Sequence, residues 1–594
     1  MKTKIVLDLE VYQNYFLASF YNPETNKQYS VEAFESKPLD VAAIRKIMLS
    51  YTTVSFNGIN FDLPVLQYAL QGATTKQIKA LCDKIIKSNL PAWSICRDMR
   101  IEVPSEWDHI DIIEVAPGQS SLKIYGARLN CSTIQDLPIK PDAFISPAQR
   151  DELRQYCLND LRTTWALYKS LEKQIDLRAS MSAQYGVDLR SKSDAQIAET
   201  IIKSELHKMT GKQYRKPELP DGVSFRYLDP KIISYQTQQL KDIFNTVLNV
   251  KFTLAANGAV KMPDELAKAQ IKMGKATYSM GIGGLHSCEK SQCVKAENGF
   301  MLLDVDVASY YPSIILQQNL APKSMGLPFL RVYQSIVSRR IAAKRSGDKV
   351  TADTLKITVN GSFGKLGSKW SALYAPDLMI QTTITGQLAL LMLIERMELN
   401  GVQVVSANTD GIVLHFHKTR LNDVRNIAFD WMLDTSYELE ETHYKLLASR
   451  DVNNYVAVKL DGSTKGKGVF ASGGLMKNPD CNIVFEAVAQ YLADGTPLAD
   501  TIIQCSDITQ FLTVRKVTGG AVWQNKYLGK AVRFYYSCKV NRDECIHYAK
   551  NSNKVPKSDG AKPLMTLPNS FPDDVAYGRY IDAAKELLRE VGYA

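Results

Sequence analysis

The sequence is short of the features that would place it outside a reducing compartment. Its ten cysteines include no Cys-x-x-Cys pair, and the closest two, Cys288 and Cys293, have no His or Cys at zinc-ligand spacing, so free thiols are expected. Long apolar runs are missing: the longest strongly apolar stretch, Leu388 to Ile394, has seven residues, against roughly 18 for a membrane-spanning helix. No membrane segment is expected. Asp8 and Glu10 interrupt the N-terminal apolar stretch that a signal peptide needs, so export is not expected and the cytoplasm is. Repeats and low-complexity tracts are absent, and residues 550–563 form the most loop-like stretch. Strong charge of one sign is absent as well, since 72 Lys and Arg against 62 Asp and Glu leave a net +10, compatible with a polyanionic partner but no proof of one. What remains is a chain of 594 residues, 45% hydrophobic, long enough for about four domains.

The charge is unevenly spread. Residues 331–369 carry nine Lys/Arg against two Asp/Glu, and residues 511–562 carry eleven against three. Either segment, taken singly, is as well explained by a solvated charged face as by phosphate binding.

The acidic residues are patterned more tellingly. Ile5-Val-Leu-Asp8-Leu-Glu10 has strand character, and alternation puts Asp8 and Glu10 on one face with Ile5, Leu7 and Leu9 on the other. On this pattern alone an ordinary exposed edge strand is the stronger reading; paired acids, however, repel unless a cation neutralises them. Asp62 follows the strand-like Thr52–Phe56 at the opening of a helical stretch, and Tyr156 and Asp160 share a helix face four residues apart within Pro147–Leu171. Four acids and a phenol can serve two metal ions about 4 Å apart in phosphodiester cleavage. In this order and spacing, Asp8-x-Glu10, Asn57-Gly-x-Asn-Phe-Asp62 and Tyr156-x-x-x-Asp160 resemble the exonuclease motifs of DnaQ-like proofreading domains, and Asp108-His-Ile-Asp-Ile-Ile and Ser121–Leu129 are similar to that family too. The resemblance implies an α/β, RNase H-like fold, metal binding by Asp8, Glu10, Asp62 and Asp160, and a Tyr156 that orients the attacking water.

A second pair of acids lies in the middle. Phe300–Val307 has the pattern of an apolar strand with Asp304 and Asp306 on one face, ending at a Pro-containing turn. Val402–Phe416 has the form of a β-hairpin with Asn408-Thr-Asp410-Gly411 at its tip. Between them, Arg340 with Lys344, and Lys356 with Asn360 and Phe363, line faces of two helices that could grip a triphosphate and flank a base. Asp306-x-x-Ser-x-Tyr311-Pro-Ser, Lys356-x-x-x-Asn360-Gly-x-Phe363-Gly and Asn408-Thr-Asp410-Gly resemble motifs A, B and C of family B DNA polymerases.

That resemblance implies a right-hand α+β polymerase following the exonuclease domain, with Mg²⁺ or Mn²⁺, two ions at each active site. Asp306, Asp410 and the Val307 carbonyl would bind metal in the polymerase half; Arg340, Lys344 and Lys356 would hold phosphates, and Tyr311 would exclude a ribose 2′-OH. Asn408 and Phe363 depart from the family's usual Asp and Tyr, which puts metal preference and fidelity in question. The loop at Gly283 and Gly284 looks like one placed against template DNA, with a plain turn an equal reading. Tyr455, Lys465 and Lys467 resemble a strand and cationic turn that hold primer phosphates. Arg533, in a basic stretch with interleaved aromatics, fits a thumb gripping duplex DNA, with core aromatics as the alternative.

The expected division is residues 1–175 exonuclease, 176–299 linking region and start of the palm, 300–328 palm, 329–365 fingers, 366–480 palm and 481–594 thumb. Intervals of 42 residues from Ser313 to Lys356 and 43 from Gly364 to Asn408 leave little room for the insertions of protein-primed phage relatives. A compact enzyme that extends nucleic-acid primers is therefore expected, and the absence of additional N-terminal domains suggests a small viral or phage-type replicative enzyme. Primer–template DNA, a single-stranded 3′ end and dNTPs would be its partners, replisome proteins a further class, and the monomer its working form. Two other readings stay open: an exonuclease whose polymerase half is degenerate, prompted by Asn408, and a non-catalytic DNA-binding scaffold.

Overall fold

A computed structural model describes residues 2–471 and 473–593. The alternation of Ile5, Leu7 and Leu9 with Val6, Asp8 and Glu10 forms the strand Lys4–Tyr12, the centre of a five-stranded sheet. The antiparallel strands Tyr15–Asn22 and Lys27–Phe34 lie on one side of it, and the parallel strands Thr52–Ser55 and His109–Asp111 on the other. Helices cover both faces. Ile5, Leu7 and Leu9 pack with Leu66 and Ile78 on one face; Val6, Tyr12 and Leu17 pack on the other against Leu153, Cys157 and Leu161 of the helix Pro147–Tyr185. Because side chains alternate along a strand, Asp8 and Glu10 face that long helix.

The unit containing this sheet runs over Met1–Ser193 and also takes in Gly473–Ile483 and Cys505–Arg579. Its C-terminal part builds a four-stranded sheet ordered His547–Tyr548, Thr513–Trp523, Lys526–Tyr536, Ala561–Pro563. Val514 and Ala531 of this sheet pack with Ile124, Ala127 and Ile134. The stretch 481–594, expected as one body, is thus divided: most of it belongs with the first 193 residues, and Val484–Gln504 and Tyr580–Ala594 belong with the second unit.

The second unit centres on Asp194–Ser472. Its main sheet has ten strands, in which Phe300–Val307 lies between Leu439–Asp451 and Gly411–His417, and the latter pairs with Gln403–Asn408 as a hairpin. The helix Pro376–Leu399 is long and apolar enough, by length and composition, to cross a membrane. Run length did not mark this helix, because Thr382, Thr383, Thr385 and Gln387 interrupt the apolar run without breaking its apolar character. Here the helix is core. Its Ile384, Leu388, Leu391 and Ile394 are fully buried with Leu303, Val305, Ile412 and Leu414 of the sheet. Three further helices, Asp194–Thr210, Gly326–Ser346 and Lys349–Leu366, pack together, and the last two carry eight of the nine basic residues of 331–369, with Lys369 following them.

Candidate active sites

In the second unit Asp306 sits at the end of its strand directly opposite Gly411 of the hairpin. A β-carbon at 411 would overlap Asp306 Oδ1 and lie 3.1 Å from the Val305 carbonyl oxygen, so only glycine leaves room for the carboxylate. The tip is fixed from three directions. The Val307 N–H donates to the Asp410 carbonyl at 2.7 Å, the Thr409 N–H donates to the Leu285 carbonyl at 2.8 Å, and Thr409 takes a left-handed conformation at φ 60°. Asn408 contributes as an amide: Nδ2 donates to the Val452 carbonyl at 3.1 Å and Oδ1 accepts from Thr409 Oγ1 at 3.0 Å. An ionised Asp has no donor for the first of these bonds.

Asp306 and Asp410 line a single cavity of about 660 Å³, with Asp304, Val307, Tyr455, Lys465 and Lys467 also on its walls. Burial, then the charge of Asp304, pushes the Asp306 carboxyl up to about 6. Asp410 is raised too, chiefly by burial. Asp304 is already engaged, accepting from Tyr444 Oη and lying 3.4 Å from Lys465 Nζ. Lys465 is thereby turned toward an acid. Lys465 and Lys467 lie on the strand Thr464–Lys467, which pairs with Tyr455–Val458, rather than in the expected turn, because the ladder continues through Gly466.

A second cavity of about 430 Å³ is lined by Arg340, Lys344, Lys349 and Lys356, and it shares Ala308, Ser309 and Glu440 with the first. Arg340 Nη1 donates to Ser309 Oγ at 2.9 Å. Tyr311 stacks on Phe363 with ring centres 4.2 Å apart and donates to the Gly283 carbonyl at 2.7 Å. Asn360 is exposed one turn after Lys356. The glycine loop has an internal partner: a β-carbon on Gly284 would come within 2.9 Å of Thr409 Oγ1, so its smallness lets Ala276–Met280 and Leu285–Ser287 turn against the hairpin tip. Lys349, which the motif spacing missed, has as its only sequence signal a place at the start of the second basic helix.

In the first unit, Asp8, Glu10 and Cys157 offer ligand atoms all within 4.8 Å of one another. Glu10, Asp62 and Asp160 are buried. Burial and the neighbouring charge of Asp160 push Asp8 up to about 7, and Glu10, Asp62 and Asp160 are raised, first of all by burial. Asp111 steadies the turn before Asp62 by accepting from the N–H groups of Asn57, at 2.8 Å, and Ile59, at 3.0 Å. Lys123 forms an ion pair with Asp160 and lies 4.4 Å from the centre of the Tyr156 ring. Neither Lys123 nor Cys157 was singled out for this cluster, although Lys123 lies in the stretch Ser121–Leu129 and Cys157 between Tyr156 and Asp160, both marked by the resemblance.

The donor sets suit hard divalent cations. Each groups carboxylates that burial and mutual repulsion disfavour as bare anions, which a divalent ion relieves. Arg533 belongs to no such site. It is fully buried in the first unit, donating to the carbonyls of Leu564 and Cys131 at 2.8 Å, Ser132 at 3.2 Å and Met565 at 3.3 Å. The expected contact with duplex DNA is corrected by this burial, which leaves its guanidinium no phosphate to reach.

The pair Asp306 and Asp410 beside a cavity that carries Arg340, Lys344, Lys349 and Lys356 along with Asp348, Asp353 and Glu440 is equipment for handling phosphate esters. No family model matches the chain. Over 210 residues it is 25% identical to "DNA polymerase 1" of Aeropyrum pernix, a match over 29% of this chain and 22% of that protein, so the matched part spans about a fifth of the relative's length. Its fold aligns with the family B DNA polymerase of the hyperthermophilic archaeon Pyrobaculum calidifontis at a TM-score of 0.42 and 13% identity, over 100% of this chain and 78% of that one.

Proposed function

We propose that the chain is a DNA-templated DNA polymerase that adds dNTPs to a primer 3′ end and carries a separate 3′→5′ proofreading exonuclease. One observation carries the reading: Asp306 and Asp410 line one cavity that shares a wall with a second cavity lined by Arg340, Lys344, Lys349 and Lys356. Asp306, Asp410 and the Val307 carbonyl would hold Mg²⁺ or Mn²⁺ in the polymerase half, and Asp8, Glu10, Asp62 and Asp160 in the exonuclease half. Such ions, when bound, stabilise charge on attacking and leaving oxygens. The cations of the second cavity bind the triphosphate, Asn360 and Phe363 flank the base, and Tyr311 excludes a 2′-OH. Gly283, Gly284, Tyr455, Lys465 and Lys467 lie by the primer–template, and Tyr156 orients water for cleavage. The hydrogen bonds of Asn408 favour this over a degenerate polymerase half, because the amide fixes the tip that carries Asp410.

The test is one labelled primer–template with and without dNTPs. Asp306→Asn or Asp410→Asn is expected to cut extension by about 10²-fold or more while shortening of the primer persists; Asp160→Ala reverses the pattern. Loss of both activities in every variant, or neither activity in the wild type, refutes the proposal.

A further inference from the structure

Trp370 is 72% exposed, yet it does not sit on a loose tip. Its neighbours Leu366, Ser371, Ala372, Leu373 and Tyr374 are all buried. The Ala372 N–H donates to Glu199 Oε1 at 2.9 Å, and the other oxygen of Glu199 lies 3.4 Å from Lys365 Nζ. Tyr374 Oη donates to the Gly258 carbonyl at 2.9 Å, and Ser371 N–H closes the turn on Ser368 O at 2.9 Å. A loop tied to Glu199 and Gly258 and closed on itself at Ser368–Ser371 thus holds one large flat ring in solvent, where apolar exposure ordinarily costs free energy.

Two cations attend that ring. Lys216 Nζ lies 5.1 Å and Lys369 Nζ 5.2 Å from its centre. Cation–π contact limits the indole's rotation and sets two ammonium groups beside anything seated on it. Lys212 and Arg215 are exposed in the same short segment as Lys216. An exposed aromatic face among cations binds unpaired nucleotides by stacking the base and neutralising the flanking phosphates, without regard to sequence.

We infer that Trp370, Lys216 and Lys369 form a stacking platform for single-stranded DNA that shares no residue with either carboxylate site. The inference rests on the proposed function only in that the strand bound would be the unpaired part of the template. A protein partner on the same ring is the competing possibility.

The experiment measures affinity of the full chain for a fluorescent single-stranded oligonucleotide in EDTA, where neither synthesis nor degradation intervenes. Trp370→Ala is expected to weaken binding about ten-fold, and Trp370→Phe to retain most of it. Joint replacement of Lys216 and Lys369 by Ala should lower the slope of log affinity against log salt by about 1.4. Wild-type protein bound to an oligonucleotide carrying 5-iododeoxyuridine should photo-crosslink at Trp370, which tests the contact even if a variant folds poorly. Unchanged affinity in Trp370→Ala, an equal loss on blunt duplex, or no crosslink at Trp370 overturns the inference and leaves the protein partner. Trp370-dependent binding by a wild type that does not extend primers counts against the polymerase reading alone. Normal extension with Trp370-independent binding counts against this inference alone.

Discussion

Replacing Gly411 by Ala tests the polymerase site without touching an acid. The new methyl would overlap Asp306 Oδ1, and the Val305 carbonyl oxygen 3.1 Å from it limits retreat to the other side. The hairpin cannot simply shift, because Val307, Thr409 and Asp410 are pinned by backbone hydrogen bonds. Asp306 must therefore swing within the cavity, out of its present position, by on the order of 1 Å, a displacement that costs about 10²-fold in rate when it misplaces a reacting group. This corresponds to about 2.7 kcal/mol of lost transition-state stabilisation. Stability should suffer less, by about 1 kcal/mol, since the carboxylate turns into open cavity space rather than into packed core. The assay is primer extension, with shortening of the same primer as an internal control and thermal unfolding as a check on the fold. Extension within three-fold of wild type would refute the claim that Gly411 makes room for Asp306, as would an equal fall in extension and shortening.

Two further expectations concern the C-terminal part of the first unit. Arg533→Met should lower stability by about 3 kcal/mol, because four carbonyls lose a buried donor; affinity for duplex DNA should hold, and a stable variant with weakened DNA binding would show that Arg533 reaches phosphate after all. Asp574 is buried, which alone would raise its pKa, but hydrogen bonds from Lys562, Tyr535 and Ser537 outweigh this and hold it at about 2. A depressed pKa contributes stability above the unfolded value near 4 that is lost as pH falls toward 2. Asp574→Asn should therefore lower the melting temperature at pH 7 and flatten its decline between pH 4 and 2, and an unchanged acid limb would contradict the assignment.

What the sequence made legible was short in range. Alternation alone put Asp8 with Glu10, and Asp304 with Asp306, on common faces, since a strand has no other way to present them. The hairpin was visible because two β-rich runs flank Asn408-Thr-Asp-Gly. Illegible features depended on distant partners. Lys465 and Lys467 suggested a cationic turn, yet pairing with Tyr455–Val458 makes a strand of them. Lys123 meets Asp160 only because the helices Leu122–Arg128 and Pro147–Tyr185 pack together. The fate of Arg533 is set by carbonyls some 400 residues earlier.

The two basic stretches sharpen the point, because their compositions are alike and their roles are not. In 511–562, Arg515, Lys539, Lys554, Lys557 and Lys562 form ion pairs with Asp480, Asp573, Asp559 and Asp574 inside the first unit, and Arg533 is buried. Much of that charge is neutralised where it stands. In 331–369, Arg340, Lys344, Lys349 and Lys356 converge on one cavity although they come from two helices; Asp348, Asp353 and Glu440 line it too, and Lys344 pairs with Glu440 at 3.6 Å. A polyanion is drawn by the field that cations make together, and that field is strongest where they converge. Convergence, which only the fold supplies, is therefore what separates a phosphate site from a merely basic segment. By that criterion a scaffold binding DNA through both stretches alike is disfavoured: one of the two has spent much of its charge on its own acids.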